Sequence, residues 1–274
     1  MEKTLVICGD SFNWGIGCKD QSTQPYGVLI AKKLGWNLVR LARGSSSNYI
    51  IHLQANYAAK MKPKPDLVII GQTSYDRVEW IAEGKTVDSR SSRKLEEVNY
   101  HQYPPHYHAQ PFHDNPFDFY LKDNPAYDPK ILCEHVVAFP DYFSLLDRLP
   151  AKERFSGSDY YKRLHSEPIE KLKLIEKYYF DIWDPTIKRD YDIAVLLKAY
   201  RTVKKAGIKC LLFGPDTGIG EFVDEPKDYY HQDWYGISQR FGFGPFPDSG
   251  HTGEAGHAYT AECLFEYLGK HNFI

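Results

Sequence analysis

No two cysteines in this 274-residue chain have the Cys-x-x-Cys spacing of a zinc or redox site. The five that are present, Cys8, Cys18, Cys133, Cys210 and Cys263, are scattered, and two of them lie in apolar, strand-like runs. That distribution argues against a zinc site or a disulfide framework and fits reduced, mostly buried thiols. An excess of one charge is also missing: 34 Lys+Arg against 36 Asp+Glu leave a formal charge of −2, with no block of like sign. Nucleic acid is therefore not an expected partner. No apolar run approaches the roughly 18 residues of a membrane span. Met-Glu-Lys leads directly into the first apolar stretch, without a separate signal segment. These absences lead us to expect a cytoplasmic protein that does not engage a membrane.

Aromatic residues are plentiful, at 15% of the chain with 21 tyrosines, which suits either sugar stacking or protein contacts. The length allows one domain of about 200 residues plus an insertion, and we treat residues 1–274 as such a single domain.

The chain is organised around Thr4-Leu5-Val6-Ile7-Cys8-Gly9-Asp10-Ser11. Leu5 to Ile7 read as a buried parallel strand, and ligands of open α/β sheets sit outside the carboxyl ends of strands. Ser11 is thus placed as a nucleophile. A serine hydroxyl needs a base to take its proton, normally a histidine oriented by a third group. Asp248-Ser249-Gly250-His251, near the other end of the chain, offers both. The two blocks together resemble the SGNH (GDSL) hydrolase family, whose serine lies in an N-terminal Gly-Asp-Ser block and whose Asp-x-x-His block lies near the C-terminus. No Gly-x-Ser-x-Gly elbow is present, which removes the α/β-hydrolase fold as a rival.

Two intermediate blocks extend the resemblance. Arg43-Gly44-Ser45-Ser46-Ser47-Asn48 follows a second strand read over 37–42, and a serine there is expected to cap the helix from Asn48 to about Ala59. The resemblance implies that Gly44 donates its N–H to the oxyanion, with Asn48 among the substrate-binding residues. A central strand over 66–71 ends in Gly71-Gln72-Thr73-Ser74, where the family usually has Gly-x-Asn-Asp. Thr73 stands in the asparagine position, and Gln72 carries the neighbouring amide. Loss of an oxyanion donor costs on the order of 10² to 10³ in turnover, so the site is either modified or weakened. Asp10 is expected to bond backbone around the strand end, and His257 to pack as an aromatic on the last helix.

Other patterns are discarded. Asn13 to Cys18 read as a glycine-containing loop, and Asp20 stands where a dinucleotide fingerprint needs its third glycine. Gly84-Lys85-Thr86 lacks the first glycine of a phosphate loop, Glu79 being there. Between about 79 and 187 the strand-helix alternation stops. His101, His106, His108 and His113 fall in this proline- and tyrosine-rich stretch without metal-ligand spacing, so a lid or interaction segment is expected rather than a metal site. A helix over 169–179, another over 191–205 ending at Gly207, a strand over 208–215, a loop over 218–247 and a closing helix over 254–268 complete the chain.

This order is that of an α/β, three-layer doubly wound (flavodoxin-like) parallel sheet, and also of an SGNH hydrolase. The resemblance implies a serine esterase acting on a small ester, such as an acetyl group on a carbohydrate, through Ser11, His251 and Asp248. No metal or other cofactor is expected. Two alternatives are an O-acyltransferase using the same site and a non-catalytic binding protein that retains the fold. Protein partners or a homo-oligomer would form through the insertion.

Overall fold

The computed structural model describes residues 2–43, 46–81, 135–138, 173–175, 177–244 and 250–274. Its centre is a five-stranded, all-parallel sheet made of β1 (Thr4–Cys8), β2 (Asn37–Arg40), β3 (Leu67–Gly71), β6 (Lys209–Gly214) and β7 (Tyr229–His231), in the order β2-β1-β3-β6-β7. The chain is thus of the α/β class. Leu5 to Cys8, Leu67 to Ile70 and Cys210 to Phe213 are all buried. Such unbroken apolar runs are what a parallel strand covered on both faces requires. Cutting Ile69 or Leu211, which face each other in register, back to alanine would cost about 2–5 kcal/mol.

The helices that enclose the sheet pair up. α2 (Tyr26–Leu34) packs on α6 (Glu254–Lys270), and α3 (Asn48–Ala58) packs on α4 (Pro185–Lys205). The chain moves one way from β1 to β2 and the other way from β2 to β3, so right-handed crossovers place α2 and α3 on opposite faces. Local signals set the ends of these helices. Gly35 stops α2 at φ +66°, Ser47 Oγ accepts the Ile50 N–H at 3.3 Å, and Asp184 accepts from Thr186 and Ile187 ahead of Pro185. The Asp-Pro start places the beginning of α4 six residues before the position read from its apolar periodicity.

Three expectations need correction. A single helical turn, α1 (Ser11–Trp14), follows Ser11 directly, because Asp10 caps it and Gly15 at φ +97° ends it within one turn. The strand read to residue 42 ends at Arg40, though the Leu41 and Ala42 N–H groups still donate to Ile7 O at 2.8 and 3.0 Å. The stretch read as a loop over 218–247 contains the edge strand β7 and the helix α5 (Trp234–Phe241), capped by Asp233. Three strand residues and two helical turns are too short to show a period.

Within the expected insertion, β4 (Val78–Ile81) pairs antiparallel with β5 (His135–Ala138) as a separate two-stranded sheet. Residues 173–175 are helical and Tyr178–Ile182 form a π-helical turn. Residues 82–134, 139–172 and 176, including the four histidines between 101 and 113, lie outside the described residues.

Candidate active site

The order of the strands reverses between β1 and β3, and the crevice at such a switch point is where doubly wound sheets bind ligands. Gly9-Asp10-Ser11 and Gly71-Gln72-Thr73 lie there. Asp10 organises the first of these segments. One carboxylate oxygen accepts the Phe12 N–H at 3.0 Å, the Asn13 N–H at 3.5 Å and the Asn13 Nδ2 at 3.0 Å. This N-cap folds α1 tightly enough to turn Ser11 inward, where it is buried. Asp10 thus takes the backbone-bonding part expected of it.

Asn13 completes the turn. Its Oδ1 accepts the Tyr26 hydroxyl at 2.9 Å. A side chain at Gly9 or at Gly71 would overlap that amide, so the glycines ending β1 and β3 make room for it. On the other side, Gln54 of α3 braces Gly9, accepting its N–H at 2.6 Å and donating to its carbonyl at 3.1 Å.

His251 meets this turn from the opposite end of the chain. Its Nε2 lies 2.7 Å from Ser11 Oγ, across 240 residues. The imidazole packs on Phe12 at 4.5 Å between ring centroids, and Phe12 stacks on Trp234 of α5 at 5.4 Å. The backbone of the segment is held as well. Gly244 N–H donates to His251 O at 2.8 Å, and Phe243 and Thr252 form an isolated bridge. Gly17 lies so close beneath that a side chain there would strike Thr252 O and His251 Cβ. Ser11 and His251 are therefore in nucleophile-base geometry. No family model, curated protein or solved structure matches this chain at a significant level. A function for the chain rests on the geometry of Ser11 and His251.

Asp248, read as the group orienting His251, lies outside the described residues, as do Gly44 and its neighbour Ser45. Thr73 is close by but faces another way: its hydroxyl donates to Asp10 Oδ2 at 2.6 Å, and its N–H donates to Asn48 Oδ1 at 3.0 Å. Asn48 returns the contact, its Nδ2 donating to Thr73 O at 3.1 Å and to Asp192 Oδ2 at 2.9 Å. Gln72 belongs to a different cluster, donating to the Tyr75 hydroxyl and accepting the Asp216 N–H at 3.3 Å. The side chains of Thr73, Asn48 and Gln72 thus each donate to partners within the protein. Together they brace the crevice.

His257 is fully buried on α6, stacked on Tyr26 and beside Trp234. Burial pushes its pKa down to about 3, with a smaller push from His251, and its Nδ1 accepts the Tyr26 N–H at 3.4 Å. It is a neutral packing group, not a second base. The thiols of Cys8, Cys18 and Cys210 are buried and unpaired, and burial raises the pKa of all three. No described helix is long and apolar enough to cross a membrane.

Sequence reasoning passed over Asn13, Gly17, Gly244 and Arg77. A signal existed for the first, since Asn13 follows Asp10 by three residues between two strand-ending glycines. For Gly17 and Arg77 there was none, because each acts on a segment more than 30 residues away in sequence, and Gly244 acts on His251 through its backbone N–H, which no residue type marks.

Proposed function

We propose that this protein is a serine esterase of SGNH type that hydrolyses a small acyl ester, such as acetyl on a carbohydrate. The observation that carries the proposal is the 2.7 Å approach of His251 Nε2 to Ser11 Oγ at the carboxyl edge of a parallel sheet. His251 takes the hydroxyl proton as Ser11 Oγ bonds to the ester carbonyl carbon. The carbonyl oxygen becomes an oxyanion, for which the Ser11 N–H, left out of the Asp10 cap, is a donor at hand. The tetrahedral adduct collapses as His251 returns the proton to the departing alcohol, leaving the acyl group on Ser11. A water that loses its proton to His251 then attacks that carbonyl, and Ser11 regains its hydrogen as the acid leaves. In this reading Asp248 orients the imidazole, as the family resemblance implies.

One observation favours a second reading. The engaged donors of Thr73 and Asn48 suit a binding protein that has kept the fold but not the turnover. A fluorophosphonate probe separates the two. Labelling of the folded protein that disappears in Ser11→Ala is the expected result, and folded protein that takes no label refutes the esterase. Assaying acetyl release from p-nitrophenyl acetate with and without an added sugar then divides hydrolysis from transfer to a sugar hydroxyl.

A further inference from the structure

With Thr73, Asn48 and Gln72 turned to other partners, a cation meets the carboxylate beside the nucleophile. Arg77 follows the end of β3 by six residues, and its side chain is 13% exposed. Its Nη1 donates to Ser46 O at 2.7 Å, and its Nη2 lies 3.4 Å from Asp10 Oδ2. The guanidinium therefore bridges two separate segments, the nucleophile turn and the start of the segment that leads into α3. Ser46 is itself tied back, its N–H and hydroxyl both donating to Arg43 O, while the Arg43 N–H donates to Gly9 O at 3.0 Å. Among the described residues, Ser46 and Asp10 are the hydrogen-bond and ion-pair partners of Arg77.

We infer that Arg77 is the positioning residue of the oxyanion side of this site. It clamps the Asp10–Ser11 turn against the Ser46 segment and offsets the Asp10 carboxylate one residue from the nucleophile, so that this carboxylate does not oppose the developing oxyanion. Two features of the chemistry lead there. A planar fork holds a carbonyl and a carboxylate at once in a fixed geometry, which a threonine hydroxyl with its single donor cannot do and a flexible lysine ammonium does less rigidly. Pairing the Asp10 carboxylate also removes a repulsion that would otherwise grow as the oxyanion develops. The inference rests on the esterase reading and adds to it the group that offsets the Asp10 carboxylate.

The test compares Arg77→Met and Arg77→Lys with the natural protein, using p-nitrophenyl acetate turnover, inhibition by phenylboronic acid and thermal unfolding. Arg77→Met is expected to lower kcat and the affinity for the boronate in parallel by about 10- to 100-fold. KM should move less than about threefold, because the interaction is made in the transition state. Arg77→Lys is expected to recover only a minor part, since an ammonium on a flexible stem holds the two partners less rigidly than a planar fork. If Arg77→Met fails to fold, the same comparison is made with Arg77→Lys alone. Folded variants that keep kcat and boronate affinity within about threefold of the natural protein overturn the inference while leaving the esterase standing. Absence of Ser11-dependent fluorophosphonate labelling in the natural protein overturns both.

Discussion

Two aspartates cap short helices at the carboxyl edge of the same sheet, Asp10 after β1 and Asp216 after β6. Asp10 accepts the Phe12 and Asn13 N–H groups, and Asp216 accepts the Gly218 N–H at 2.7 Å. Each has a glycine nearby that leaves space for a polar side chain, Gly71 for Asn13 and Gly214 for Gln72. Each also has an arginine. The arginines differ: Arg189 grips Asp216 with two nitrogens at 2.7 and 3.0 Å and is half-exposed, whereas Arg77 is nearly buried and shares itself between Asp10 and Ser46. With Tyr75 also donating, Asp216 is a closed knot whose carboxylate is held down to about 2, chiefly by Arg189. Asp10 instead joins the Ser11 turn to Thr73 and, through Arg77, to the Ser46 segment. What distinguishes the two caps is the side chain that the Asp10 cap turns inward, Ser11, and the histidine that meets it.

The comparison breaks most sharply on turnover. Ser11→Ala and His251→Ala are expected to lower p-nitrophenyl acetate hydrolysis by about 10³-fold or more. Asp216→Ala should leave it within about threefold while costing about 1–3 kcal/mol of stability, read by urea unfolding. Equal losses of turnover in all three would show that the two clusters are not separable.

Acid provides the next distinction, because the site side holds a buried neutral histidine and the Asp216 side an ion pair. The pKa of His257 in the folded chain lies below its unfolded value, so the neutral imidazole stabilises fully above about pH 6.5. That contribution is lost as pH falls toward 3, amounting to about 3 kcal/mol at about pH 4. Asp216 is likewise depressed in the folded state, so its stabilisation is present above about pH 4 and lost between about 4 and 2, about 2 kcal/mol in all. Denaturant midpoints measured against pH should show both falls, with His257→Phe removing the upper one and Asp216→Asn the lower. A profile that His257→Phe leaves unchanged would assign the acid loss to other groups.

The smallest effect sharpens the contrast through the paired glycines. Gly71→Ala and Gly214→Ala each force a side chain aside and should each cost about 1–3 kcal/mol. Only Gly71→Ala displaces Asn13 and with it the Ser11 turn, so only that variant should lose fluorophosphonate labelling rate. Equal labelling of the two variants would detach Asn13 from the nucleophile.

Much of the frame was legible because its causes are local. Val6, Val68 and Leu211 lie in unbroken apolar runs, Gly35 stops a helix and Ser47 caps one, all within a few residues of the signal. The Gly-Asp-Ser and Asp-x-x-His blocks led us to expect Ser11 and His251 together, and their side chains lie 2.7 Å apart. The partners of Thr73 were not legible. Its hydroxyl finds Asp10, 63 residues away. No local pattern marks Arg77 as the residue that meets Asp10 and Ser46.

By itself, the amino-acid sequence determined which segments become buried parallel strands and which strand end carries a serine hydroxyl, since periodicity, capping and side-chain chemistry act over a few residues. Only the tertiary structure decided where each donor is spent. Asp10 claims Thr73 and Arg77, and Asn48 is shared with Asp192, because a buried carboxylate takes whichever donors the fold brings within reach.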